Sequence, residues 1–329
     1  MSIHVDGTIT DPQNATHGGR WPGGRRFAFS VLDDTDGATV RRIKPVYELL
    51  YSLGMRTTKS VWVFPSRDRI AGATLDDPGY LAYVRSLRNR GFELCLHSVG
   101  DGSFSREEIL AGYERFRVEF GAFPRIHANH SRNVDNLHWG AERFAWPVSV
   151  LFRILDRKAG AHGYQGHLPA SKHYWGDFAR QHVDYVRNLV FNRTDTLACD
   201  PRMPYPIKGT QDAVNNWFSS SDGHTVDEFC RLIHPDRIRA LERSGGACLA
   251  YTHFAEGFVD GSGRLNPLFE ERMRHLASRP GWFVPMTEVL DSLSRRGAHR
   301  AAGPGYPYLL RVNARWALER IEKLARFRR

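Results

Sequence analysis

The stretch Arg26-Phe-Ala-Phe-Ser-Val-Leu32, followed at once by Asp33-Asp34-Thr35-Asp36-Gly37 and then by a helical period from Thr39 to Ser52, decides the fold. A short, almost continuous apolar run bounded by turn residues fits a strand buried on both faces. A helix after it makes one βα unit. The same rhythm recurs along the chain, with candidate strands at Thr57 to Phe64, Phe92 to Leu96, Arg125 to Asn129, Tyr185 to Phe191, Val214 to Phe218, Ala247 to Thr252 and Trp282 to Val284. Helical segments lie between most of them: Pro78 to Arg90, Ser105 to Phe120, Val226 to Arg243 and Pro267 to Ser278. Ser105 three residues before Glu108 is a capping box, and Gly54, Gly91 and Gly121 fall just past helix ends. Seven or eight alternating units imply a parallel sheet closed into a barrel rather than an open, doubly wound one.

The rhythm breaks between about 140 and 212, where a helix from Pro147 to Arg157 leads into Gly- and His-rich sequence and then Pro201-Arg-Met-Pro-Tyr-Pro. We read this as an insertion in one barrel spanning 25–296, preceded by a flexible segment, 1–24, and followed by a C-terminal segment, 297–329. That last segment carries a helix from Leu309 to Arg329, with Arg311, Arg315, Arg320, Lys323, Arg326, Arg328 and Arg329 against Glu319 and Glu322. A basic amphipathic helix can lie on an anionic membrane, or simply close the barrel with a solvated edge.

Composition bounds the function. The 329 residues carry a net charge of +10, with 41% hydrophobic and 25% charged residues, which describes an ordinary globular chain. No apolar stretch approaches the ~20 residues of a membrane span. The first 24 residues lack a basic region followed by an apolar one, so no export signal is expected. Cys95, Cys199, Cys230 and Cys248 form no C-x-x-C pair and sit mostly in apolar runs, as buried thiols do in a reducing compartment. The expectation is a cytoplasmic protein, peripheral to a membrane at most. No nucleic-acid motif accompanies the charge, so no nucleic-acid partner is expected.

In a (β/α) barrel the chemistry gathers where strands end. The first strand ends in Asp33 and Asp34, whose side chains point apart because strand residues alternate. One can hold a metal while the other faces water or substrate; the bland reading is an acidic N-cap, a role that suits Asp36 or Thr39. The third strand ends in His97-Ser-Val-Gly-Asp101, the fourth in His127-Ala-Asn129-His130 and the seventh in Thr252-His253. Together these are the ligand types of zinc or a similar divalent ion, with an acid and a base beside it. Asp222-Gly-His224 follows the sixth strand. The insertion adds His162, Tyr164, His167, Tyr174, Trp175 and Tyr205, which suit stacking on sugar faces or packing of the insertion onto the barrel.

These residues resemble the polysaccharide deacetylases of NodB type, which fold as a distorted (β/α) barrel. Their first motif, T-F-D-D-G, is similar to Ser30-Val-Leu-Asp33-Asp34-Thr; the resemblance implies that Asp33 is the catalytic base and Asp34 a metal ligand. Their second motif, H-[ST]-x-x-H, is similar to His97-Ser-Val-Gly-Asp101; the resemblance implies that His97 is a metal ligand and that Asp101, a carboxylate where the second histidine would stand, is a further ligand in place of or beside His130. A late-strand histidine acting as general acid corresponds to His253. The fourth-strand R-P-P-[YF] pattern is replaced by Ala128-Asn129-His130 and loses the arginine that orients the base; His130 either supplies the third ligand or takes over that orienting role. Lys44-Pro-Val-Tyr-Glu, Met55-Arg-Thr-Thr-Lys-Ser-Val-Trp and Gly281-Trp-Phe-Val-Pro are similar to phrases of a branch associated with surface-polysaccharide biosynthesis. The resemblance thus implies a distorted barrel of seven or eight strands, a divalent metal such as zinc, and hydrolysis of an N-acyl group on a saccharide or lipid-linked glycan. Asn129, Tyr205, Trp175 and Asp222 are the expected substrate contacts. The alternative is a barrel of altered or absent chemistry that binds saccharide within a biosynthetic complex.

Overall fold

The computed structural model describes residues 19–155, 163–297 and 302–327. His162, Arg328 and Arg329, with most of the N-terminal segment, lie outside the described residues. The elements run β1 (Phe27–Asp33), α1 (Val40–Ser52), β2 (Thr58–Val61), α2 (Pro78–Asn89), β3 (Glu93–His97), α3 (Arg106–Phe120) and β4 (Ile126–Ala128). There follow α4 (Val148–Leu155), α5 (Gly176–His182), β5 (Tyr185–Phe191), α6 (Thr196–Cys199), β6 (Asn216–Asp222), α7 (Val226–Leu232) and α8 (Pro235–Ser244). The chain closes with β7 (Ala247–Thr252), α9 (Pro267–Ala277), β8 (Gly281–Phe283), α10 (Met286–Arg296) and α11 (Tyr306–Phe327).

Strands β1 to β7 pair in parallel and in order, and β7 closes onto β1. The seam beside β1 is shared. Its first residues pair with β8, Phe27 opposite Gly281, while Leu32 and Asp33 pair with Thr58 and Lys59 of β2. β8 is therefore an eighth strand wedged into the wall below β2, and the barrel is a distorted seven-stranded one. Every residue of β1 is buried, because one face meets the helices and the other the barrel interior.

Local chemistry fixes the helix ends. Thr39 caps α1 through Arg42 N–H, and Ser105 with Glu108 forms the expected capping box of α3. The helix expected from Val226 to Arg243 is two, because Pro235 has no N–H to continue α7 and instead opens α8, capped by His234. The sixth strand lies later than the expected Val214 to Phe218. Its second half, Ser219-Ser-Ser-Asp222, is polar in sequence yet buried, since Ser219 Oγ donates to Asp200 Oδ2 at 2.7 Å and Ser221 Oγ lies 2.6 Å from Thr196 Oγ1.

The C-terminal helix closes over the strand ends of β5 and β6. Val312 and Trp316 are buried with Phe144, Leu189, Phe191 and Cys199. Lys323 Nζ reaches Asp222 Oδ2 at 2.9 Å and Glu228 Oε1 at 2.6 Å, so part of the helix's charge is neutralised internally. Leu318 and Ile321 remain exposed. Among the described residues no helix is long and apolar enough to cross a membrane.

Candidate metal centre

At the exit of β1 alternation sends Asp33 and Asp34 to opposite faces. Asp33 turns to the helix layer, where its Oδ2 accepts from Tyr47 Oη at 2.9 Å and faces Lys59 Nζ at 3.0 Å; its Oδ1 accepts from Phe254 N–H at 2.8 Å. Both members of the Asp33–Lys59 pair are fully buried. Burial pushes the Asp33 carboxyl above the usual range despite Lys59. Asp34 turns into the barrel, where Arg187 of β5 grips it with two parallel bonds, Nη1 to Oδ1 at 2.9 Å and Nη2 to Oδ2 at 2.6 Å. Burial opposes ionisation of Asp34, but Arg187 and His97 outweigh it and hold its carboxyl below the usual range. The guanidinium also lies over the Tyr251 ring, 4.5 Å from its centre.

Asp36 stands one turn later at the centre of the rim. Its Oδ1 is 3.3 Å from His97 Nε2, and its Oδ2 is 3.4 Å from His130 Nε2 and 3.7 Å from His253 Nε2. Asp36 Oδ1 is buried and accepts no hydrogen bond. Burial opposes its charge, and the two histidines pull its carboxyl well below the usual range. His97 leaves β3 with Nδ1 3.0 Å from the Ala128 carbonyl, to which it donates, and turns Nε2 toward Asp36. His130 Nδ1 likewise faces Asn133 Oδ1 at 3.2 Å and Asp101 Oδ1 at 3.4 Å. Asp101 therefore lies behind His130, with its other oxygen accepting from Ser66 Oγ and Ile70 N–H.

This donor set fits a divalent cation. Three ligand atoms around one ion at about 2.0 to 2.2 Å stand about 3.0 to 3.5 Å apart, and the Asp36 oxygens meet that spacing with both histidines. Each histidine also donates its other ring N–H outward, as metal-bound histidines do. Ser98, directly after His97, has φ of 50°, a left-handed conformation uncommon without glycine. Beside the trio, His97 Nε2 is 3.4 Å from Asp34 Oδ2. The His253 ring lies 4.3 Å from that of His224, with Nδ1 buried and unpartnered. Burial lowers His253 to about 4.

The structure thus brings together Asp34, His97, His130 and His253 from the expected set and places the others elsewhere. Asp33 and Asp101 support neighbouring groups from behind. Asn129 is tied at both ends to the Leu137 backbone, by Nδ2 to the carbonyl and from N–H to Oδ1, each at 3.0 Å. Trp175 is buried against Tyr113 and His127 with Nε1 donating to the Asp135 carbonyl at 2.7 Å, and Tyr205 is buried with its hydroxyl donating to Asp200 at 3.0 Å. Asp222 is engaged by Lys323. Two central residues, Asp36 and Arg187, were missed. Arg187 was visible as a lone arginine within the strand run Tyr185 to Phe191.

A second group of similar residues lies in the insertion. His167 Nε2 is 2.8 Å from Glu142 Oε2, His138 Nδ1 is 3.7 Å from the same oxygen, and the two imidazoles stack with centres 3.9 Å apart. Here His167 Nδ1 accepts a hydrogen bond from His138 N–H at 3.1 Å.

No protein-family model matches the chain, and no curated protein matches it. Among solved structures it is similar to a family 4 acetyl xylan esterase from Clostridium thermocellum in complex with a cobalt ion, at 13% identity and a TM-score of 0.40 over 80% of this chain and 91% of that one. It is also similar to the catalytic domain of a peptidoglycan N-acetylglucosamine deacetylase from Eubacterium rectale ATCC 33656, at 12% identity and a TM-score of 0.38 over 84% of this chain and 94% of that one.

Proposed function

We propose that the chain is a divalent-cation-dependent hydrolase that removes an N-acyl group from a saccharide or lipid-linked glycan in a reducing, cytoplasmic compartment. The observation that carries this reading is the inward convergence of His97 Nε2, His130 Nε2 and both oxygens of Asp36 at 3.3 to 3.4 Å. Zinc suits a two-histidine, one-carboxylate set. When bound there, the cation supplies Lewis-acid polarisation of the acyl oxygen and lowers the pKa of an attacking water.

The remaining steps belong to side chains. In this proposal Asp34 is the base and Asp36 the ligand, one place and two places beyond the assignments that the motif resemblance implies. Arg187 holds both Asp34 oxygens in one plane and keeps the carboxylate ionised, ready to accept a proton from water at Oδ2, the oxygen nearer His97. It fills the role of the arginine missing after β4, which weakens the alternative of a non-catalytic saccharide binder. His253 Nε2, on the other side of Asp36, carries a proton to the departing amine. Because burial keeps His253 neutral near pH 7, the proton it delivers would be the one that Asp34 takes from the water, and its passage to the amine returns both side chains to their starting state. Asp33 contributes by holding the Phe254 N–H, and so positions the residue next to His253.

The test is acetate release from N-acetylated oligosaccharides by the purified chain, before and after chelation and zinc reconstitution. Expected is activity that follows zinc content and falls by ~100-fold or more in Asp34→Asn, within the usual range for loss of a general base, while zinc content stays unchanged. A chain that carries no ion and is indifferent to chelator in both activity and stability would sink the proposal.

A further inference from the structure

The site leaves the cationic excess of the chain unused, and part of that excess surrounds a cavity. Between the start of β6, the ends of α5 and α10 and the loop 201–206 lies a cavity of about 500 Å³, within the ~300 to 1,000 Å³ of ligand pockets. Exposed Arg20, Arg180 and Arg296 and half-buried Arg202 line it, and among the described residues no carboxylate does. It sits at the strand-start end of the barrel, opposite the Asp36 rim.

The fold supplies acids to other arginines at this end. Arg125 pairs with Asp184 and Asp291, and Arg26 and Arg279 share Glu242. The four cavity arginines make no such pair among the described residues. Two are instead positioned without being neutralised. Arg296 lies 4.5 Å from the Trp21 ring centre and donates to the Arg20 carbonyl at 2.7 Å; Arg202 lies 5.2 Å from the Tyr308 ring centre and donates to the Gly303 carbonyl at 3.2 Å. Aromatic faces and carbonyls fix these guanidiniums yet leave their charge uncompensated. Burial and the like charges of Arg20 and Arg295 lower the Arg296 pKa, the mark of a cation short of counter-charge.

We propose that this cavity binds a phosphate-bearing anion through Arg20, Arg180, Arg202 and Arg296. Guanidinium forks match phosphate oxygens two at a time, and four around one space favour a pyrophosphate-sized group over a single carboxylate or halide. The group is either a free inorganic anion or the phosphate end of a larger ester.

Isothermal titration of the full chain with inorganic phosphate, inorganic pyrophosphate and a nucleoside diphosphate, at fixed ionic strength, separates these sources. Expected is saturable binding of pyrophosphate or the diphosphate ester, weakened about tenfold or more in Arg202→Gln/Arg296→Gln and weakened further as salt rises. Arg180→Gln, which removes a side chain without an ion pair, is expected to weaken binding with the circular dichroism spectrum and zinc content unchanged. Tighter binding of the ester identifies an ester ligand, and tighter binding of pyrophosphate a free anion. No binding of any probe, or variants that bind like the wild type, would overturn the site.

Discussion

Among the described residues two groups of histidine and carboxylate stand out, and they differ in what the outer imidazole nitrogens face. Around Asp36, His97 and His130 donate Nδ1–H outward, to the Ala128 carbonyl and to Asn133 with Asp101, and turn Nε2 inward to Asp36, where a cation could take the place of an Nε2 proton. Around Glu142, His167 Nδ1 is already an acceptor, so its Nε2 carries the proton and donates to Glu142. Binding a cation at that nitrogen would demand an imidazole stripped of both protons. Residue type and proximity are alike in the two groups, and backbone strain adjoins both, with φ of 50° at Ser98 and 39° at His138. The outer nitrogens separate them: in the first group both histidines donate Nδ1–H away from the carboxylate, as the proposed cation site requires, whereas in the second His167 Nδ1 is occupied by the His138 N–H.

The strongest way to break this comparison is to count ions. Asp36→Ala is expected to lower zinc affinity more than ~100-fold, since loss of an outer-shell partner alone costs about 10- to 100-fold, and His167→Ala to leave one zinc per chain. Metal analysis after dialysis checks both. Two ions in the wild type, one of them lost in His167→Ala, would refute the distinction. Next in size is Asp101→Asn, which removes the carboxylate behind His130. Competition with a chromogenic chelator should report zinc binding weaker by about 10- to 100-fold; an effect as large as that of Asp36→Ala would instead make Asp101 a ligand.

How far this distinction could be seen in the sequence depends on what each residue needs to be interpreted. Strand and helix periods carried the barrel, because β1, β3, β5 and β7 are apolar enough to stand out and β2 runs on into Trp62-Val-Phe64. The end of β6 did not, since Ser219 and Ser221 are satisfied by Asp200 and Thr196, partners remote or hidden in sequence. His97 and His253 were legible as polar residues ending apolar strands. Alternation foretold that Asp33 and Asp34 diverge, but a strand buried on both faces gives no sign of which side is the barrel interior. Asp36 looked like a helix cap, a role that Thr39 fills. Arg187, on the fifth strand, reaches Asp34 only because the barrel closes, a contact that no local sequence pattern announces.

The loop 129–138 carries both His130 and His138, so its own stability sharpens the comparison. Asp135 in that loop is buried, with Oδ1 accepting from Phe104 N–H at 3.1 Å, and burial raises its pKa from 3.8 to about 7. Between those values the folded chain keeps a proton that the unfolded chain has lost, so stability falls as pH rises, and the whole cost is present above 7. Asp135→Asn is therefore expected to stabilise the chain by up to a few kcal/mol at pH 8 and by almost nothing near pH 4. Urea denaturation at the two pH values measures it, and equal effects at both would mean that Asp135 is charged in the folded state.

The smallest effect is expected at Glu142. Burial opposes its charge, but hydrogen bonds from His138 and His167 lower it to about 2. A depressed carboxylate contributes its stability above the ordinary value of 4.5 and loses it as pH falls through about 2. At pH 7 the contribution is fully present, yet the Glu142 side chain is 42% exposed, and solvent screening reduces what such a pair is worth. Glu142→Gln keeps an acceptor for His167 Nε2–H and removes only the charge. Its cost in urea denaturation at pH 7 is expected to stay within about 1 kcal/mol, with zinc content unchanged. A loss of several kcal/mol accompanied by a fall in bound zinc would mean that the second group holds a cation after all, with His167 turned so that Nδ1 releases the His138 N–H.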